Sequence, residues 1–115
     1  MSSLIEKMRK ARETRLAIAG VNLTIRRPTD LESTELRFSG TREAVKGISR
    51  FVVDWDGMRE IDLVPGGEDK PVAFDRELFE LWLEDQPEAW EILVNGVLAA
   101  YKAHAKKHEA DLKNL

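Results

Sequence analysis

Two histidines, His104 and His108, stand four residues apart near the end of the chain. On a helix that spacing puts both imidazoles on one side, an arrangement able to hold a divalent metal. The residues between them, Ala105-Lys106-Lys107, lack the glutamate of the zinc-protease motif and bring two positive charges instead. A second cluster, Asp54, Asp56, Glu60 and Asp62, surrounds Gly57 in the manner of a calcium loop. Its spacing fails: a loop starting at Asp54 needs its glycine where Arg59 stands and its glutamate where Pro65 stands. No histidine neighbours a serine in a triad-like context. Gly66-Gly67 has no helix cap or Lys-Ser pair after it to cradle a phosphate. Cysteine is absent, which removes disulfides, thiolate metal sites and cysteine nucleophiles. The expectation is a protein that is not an enzyme, with no catalytic residue, no cofactor and no metal.

The chemistry left is that of binding. Between Phe74 and Trp90 the chain carries Phe74, Leu78, Phe79, Leu81, Trp82, Leu83 and Trp90. A helix apolar on two faces is either central in a core or meets another chain. Phe74, Leu78, Leu81 and Trp82 form one stripe, and Phe79 with Leu83 a second. Core capacity is limited in 115 residues. Aromatic residues are also the types most often found at interface hot spots. Phe79, Trp82 and Leu83, rimmed by Glu80 and Glu84, are therefore the candidate protein-binding residues, with core filling as the alternative for Phe79 and Trp82.

Charge is segregated along the chain. Residues 1–15 hold Lys7, Arg9, Lys10, Arg12 and Arg15 against Glu6 and Glu13. Residues 68–91 hold nine acids against Lys70 and Arg76, and residues 102–115 return to a positive surplus. Such a chain can associate head to tail, basic end to acidic middle, or simply have solvated faces. The formal charge is −3, which argues against a general nucleic-acid coat. With 43% apolar and 34% charged residues the composition is that of a soluble globular protein. Met1 to Lys7 has no signal-peptide apolar block, and charges interrupt every hydrophobic run before membrane-spanning length. A secreted or membrane-spanning protein is not expected.

The elements that must position these residues follow from periodicity and caps. Leu4, Ile5, Met8 and Ala11 repeat at helical spacing, so residues 1–14 read as a short basic N-terminal helix, marginal on its own, with packing on its own domain, a swap into a neighbour and mobility as the alternatives. Alternation of Leu16 and Ile18, then Val21, Leu23 and Ile25, predicts a β-hairpin over 15–27, ended by Pro28. Thr29-Asp30-Leu31-Glu32 has capping-box spacing and opens a helix over about 30–38. A helix over about 41–53 carries Ala44, Val45, Ile48 and Val52 on one stripe. Residues 58–74 are irregular, with short strands near 59–64 and 72–74 and a flexible tip at Pro65-Gly66-Gly67. Asp75 caps a helix over about 75–84. Pro87 opens another over about 87–111, where Trp90, Leu93, Val94, Val97, Leu98 and Tyr101 make the clearest periodic stripe. Small residues on its other side, Ala89 and Gly96 among them, invite a close helix. The expected class is α+β: a mostly helical single domain over 15–115, with one N-terminal hairpin and two packed C-terminal helices.

In order and spacing, the string Leu23-Thr24-Ile25-Arg26-Arg27-Pro28-Thr29-Asp30-Leu31-Glu32, then Val53-Asp54-Trp55-Asp56-Gly57, then Val72-Ala73-Phe74-Asp75 and the paired helices resemble the tail assembly chaperones of long-tailed bacteriophages and prophages. The resemblance runs from about Leu16 to Ala103. It implies a small non-enzymatic cytoplasmic protein of the bacterial host cell that self-associates as a homo-oligomer. It further implies coating of the tape-measure protein, displacement by the tail-tube protein, and absence from the finished virion. Many weak, reversible contacts through modest apolar patches rimmed by charge suit that task. Two other readings come from the residues alone. One is a small regulatory nucleic-acid-binding protein using Arg26, Arg27, Arg37, Arg42 and the basic N-terminal helix. The other is a metal protein or enzyme built on His104 and His108.

Overall fold

The computed structural model describes residues 3–35 and 42–113, without the side chains of Arg42 and Glu43. It is a small α+β protein with a three-stranded antiparallel sheet in the order β1-β2-β3 and helices packed against one sheet face. Strand β1 (Glu13–Ile18) turns through Ala19-Gly20 into β2 (Val21–Arg26). Both turn residues have positive φ, 51° and 80°, as a two-residue turn matched to strand twist requires. Leu16 faces Leu23 and Ile18 faces Val21 across the ladder, so the apolar residues share one face while Arg15, Asn22 and Thr24 lie on the other.

The third strand takes the last two residues of the helix expected over 41–53. Helix α3 (Arg42–Ser49) stops at Ser49, and Val52–Asp56 forms β3, paired with β2. The register shifts between Thr24 and Ile25: Thr24 faces Asp54 but Ile25 faces Val52, leaving Val53 as an extra residue. This bulge lets Val52 and Trp55, three apart, both bury. It also erases the alternation by which a strand is read in sequence.

Helix α1 (Leu4–Lys10) starts at Ser3, whose hydroxyl accepts from the Glu6 amide at 3.1 Å. It buries nothing. Helix α2 (Asp30–Ser33) is a single turn closed by the expected capping box, with Glu32 N donating to Thr29 Oγ1 and Thr29 N to Glu32 Oε1. The remainder of the expected 30–38 helix, from residue 36, lies outside the described residues. Where a strand was expected near 59–64 there is a one-turn helix, α4 (Glu60–Leu63); near 72–74 there is only an isolated bridge, Arg59 to Pro71. Helices α5 (Arg76–Glu84) and α6 (Pro87–Lys113) match expectation, with Asp75 accepting from the Leu78 amide as the α5 cap.

The core lies between the sheet and α3, α5 and α6. Ile18, Leu23, Ile25, Ile48, Phe51, Val52, Phe79, Leu83, Leu93 and Val97 are all almost fully buried there. The small residue Gly96 meets a strand rather than a helix: a Cβ added there would sit 2.7 Å from Leu16 Cδ2, which marks the close crossing of α6 over β1. The buried residues of α6 are Ala89, Leu93 and Val97, all in its first half. The outer half runs past the core; Tyr101 donates to Asp30 Oδ1 and accepts from Ser33 Oγ of α2, and His104 lies against Asp30. With α1 also standing off, the Cα radius of gyration is 15.8 Å against ~13 Å for a compact chain of this length.

Candidate functional site

Arg76 sets how α5 is rotated, and with it the whole surface. Its guanidinium donates to the Ser49 carbonyl at the end of α3 and, at 2.9 Å, to the Val52 carbonyl at the start of β3. At about 100° per residue, Phe79 and Leu83 fall on the Arg76 side of the helix, and Leu78 and Leu81 on the opposite side. Phe79 and Leu83 are accordingly buried, at 0% and 2% exposure. This corrects their assignment as partner-binding residues: they are core, and a partner cannot touch them in the folded chain. The apolar surface of α5 is instead Leu81 (58% exposed) and Leu78 (37%), with half-buried Trp82 between them and the core. Both leucines belong to the stripe shared with Phe74 and Trp82, and neither was among the candidate binding residues.

An aromatic series backs Trp82. Trp55 meets Phe74 edge-on at 5.3 Å, Phe74 lies 6.3 Å from Phe79, and Phe79 lies 5.9 Å from Trp82. Trp55 is itself anchored by its indole N–H, which donates to the Val72 carbonyl at 2.7 Å. Phe79 thus positions Trp82 from beneath, and edge and offset contacts of this kind hold ring geometry.

Opposite α5 stands the loop 57–72, which carries α4. The expectation of a flexible tip gives way to a closed loop. Glu60 N donates to Lys70 O, Ile61 N to Glu68 O and Val72 N to Met58 O. Gly67 lies so close to α4 that a Cβ there would be 2.8 Å from the Glu60 carbonyl oxygen. Arg59 bonds Asp62 and Asp69, while Lys70 lies 3.4 Å from Glu60 and 3.2 Å from Glu68. The Arg59 guanidinium holds the Asp62 carboxyl below its ordinary range. The Glu68 amide, helped by Lys70, does the same for Glu60.

Between α4 and α5 runs an open groove of about 620 Å³. Leu63, Val64, Leu78, Leu81 and Trp82 form its apolar lining, and Glu60, Asp62, Glu84 and Asp85 its acidic rim. Of the expected site residues, Trp82 and Glu84 line it. Glu80 borders a separate hollow with Val45, Lys46 and Arg76, where Leu81 and Glu84 also contribute. Leu63 and Val64 were missed in sequence because only the closure of loop 57–72 brings them opposite α5.

The other candidate groups are engaged elsewhere. His104 Nε2 lies 3.4 Å from Asp30 Oδ1 and its ring stacks near His108. Among the described residues no three potential metal ligands come together. Arg26 makes a bidentate pair with Glu32 at 2.7 and 2.9 Å and lies over the Phe51 ring. Arg27 donates to the Pro28 carbonyl. Arg37 and the Arg42 side chain lie outside the described residues. No described helix is long and apolar enough to cross a membrane. No family model matches the chain, and no curated protein and no solved structure proves similar to it.

Proposed function

We propose that this protein is a bacteriophage or prophage tail assembly chaperone that holds an apolar helical segment of the tape-measure protein until the tail-tube protein displaces it. On this reading it works as a homo-oligomer in the host-cell cytoplasm, performs no catalysis and leaves the finished particle. Beyond the motif order in the sequence, one observation carries the reading: the acid-rimmed apolar groove between α4 and α5, with Leu81 and Leu78 open to solvent. An apolar helix laid in a groove uses anchors one turn apart, and Leu78 with Trp82 supplies matching contacts at that pitch. The acidic rim keeps the empty groove soluble and favours clients that carry lysine or arginine beside their apolar stripe.

The test is co-expression with a long, helix-rich tape-measure protein, followed by pull-down and a solubility assay. The large protein is expected to be soluble and to co-purify, and Leu78→Ser with Leu81→Ser is expected to abolish both while leaving this protein folded. Failure of the two wild-type proteins to associate, each being well behaved alone, overturns the proposal.

A further inference from the structure

A second apolar surface lies at the other end of the molecule. Helix α1 exposes Leu4 at 73%, Ile5 at 62% and Met8 at 54%, and none of its residues is buried. Leu4 and Met8, one turn apart, make a stripe with Ile5 beside them. Lys7, Arg9 and Lys10 flank it, with Arg12 just beyond, against the single acid Glu6. A seven-residue helix of this kind is marginal in water alone and gains most from an apolar surface with negative charge around it. The α4–α5 groove is such a surface, lined by leucine, valine and tryptophan, with Glu84 and Asp85 along its α5 edge and Glu60 and Asp62, paired with Lys70 and Arg59, along the other.

The two lie apart within one chain, and no residue of α1 lines the groove. Arg12 O accepts from Arg27 N at 2.8 Å, and Glu13 pairs with Arg26, so α1 leaves the sheet at the end where β3 begins. Helix α4 follows the opposite end of β3, beyond the Asn22–Asp56 pair. The strand length between these ends is about 17 Å at ~3.3 Å per residue. We infer that α1 of one copy seats its Leu4–Ile5–Met8 face in the acid-rimmed α4–α5 groove of a second copy of this chain. The contact joins two different surfaces, so it propagates from copy to copy unless it closes on itself. It needs only α1 and the groove, and the test contains no client protein. It rests on the homo-oligomer part of the chaperone reading: its failure removes that part and leaves client capture by the groove to the co-expression test, while failure of co-expression leaves the contact between copies standing.

The experiment is sedimentation equilibrium on the purified full chain at low and high salt. Wild type is expected to associate with rising concentration, and less so in high salt because the complementary charges are screened. A helix-face variant, Ile5→Glu with Met8→Glu, and a groove variant, Leu78→Lys with Leu81→Lys, are each expected to lose association by at least about tenfold. Mixed in equal amounts, they are expected to form a one-to-one heterodimer and nothing larger, because one intact helix then meets one intact groove. Far-UV circular dichroism checks that both fold; should the lysine variant not, Leu81→Ser replaces it. A monomeric wild type at every concentration overturns the inference. So does wild-type association by either folded variant, or a mixture of two folded variants that does not pair.

Discussion

Replacing Glu32 by Gln removes one charge and almost nothing else, which makes it the sharpest probe of what joins the sheet to α2. Gln can still accept from the Thr29 amide, so the capping box survives. What is lost is the charge-assisted bidentate pair with Arg26 and the longer pairing with Arg50 at 3.9 Å. That pair, and then the Thr29 amide, hold the Glu32 carboxyl at about 2 instead of 4.5, burial opposing them. At ~1.36 kcal/mol for each pH unit, the lowering amounts to at most ~3.4 kcal/mol of native-state stability. The side chain is 19% exposed, and Arg26 26%, so water screens the pair and roughly halves this to ~1.5–2 kcal/mol. Because the folded pKa lies below the unfolded one, this stability is complete above about 4.5 and is lost as pH falls towards about 2. Urea denaturation of wild type and Glu32→Gln, followed from neutral pH to the lowest pH at which both fold, should show a gap that is full at neutral pH. The gap should shrink steadily once pH drops below about 4.5. A gap that stays constant across that range refutes the reasoning, since the side chain would then act through shape and not charge.

Phe79→Ala should cost ~3–5 kcal/mol and Leu81→Ala less than ~0.5 kcal/mol in the same assay, because only the first leaves a cavity. Equal costs would mean that α5 is rotated differently. Ala19→Gly should stabilise by about 0.5 kcal/mol, relief at φ 51° outweighing the extra freedom of glycine in the unfolded chain; a lower urea midpoint contradicts it. Gly67→Ala should cost ~1–3 kcal/mol, because its Cβ would be forced against the Glu60 backbone, and thermal melting reads this directly.

Local signals were legible where one residue decides the outcome. Asp75 and Pro87 start their helices, Thr29 and Glu32 close their box, and alternation marks the hairpin. What sequence hid was set by distant contacts. Val53 bulges out of β3, so Val52 and Trp55 lost the two-residue period and the segment resembled a helix end. Helix α5 is apolar on both sides, and its pattern alone fits either rotation. The bonds from Arg76 to the Ser49 and Val52 carbonyls choose the one that buries Phe79 and Leu83. Of the candidate binding residues, Phe79 and Leu83 are therefore on the buried side of α5, whereas Trp82 and Glu84 line the groove. The opposite wall, Leu63 and Val64, depends on loop contacts between residues seven to fourteen apart and had no signature in periodicity.

Helix α6 has a consequence that unfolds in time. Its 27 residues span about 40 Å, yet burial ends at Val97 and the last anchor to another element is the Tyr101 and His104 contact with Asp30. Amide hydrogens around Leu93 and Val97 can exchange with solvent deuterium only when the whole core opens. Those beyond Lys106 need only the local fraying of a turn. One continuous helix should thus show a gradient of exchange lifetimes, slowest beside the sheet and fastest at Lys113, with Asp30 marking where the slope begins.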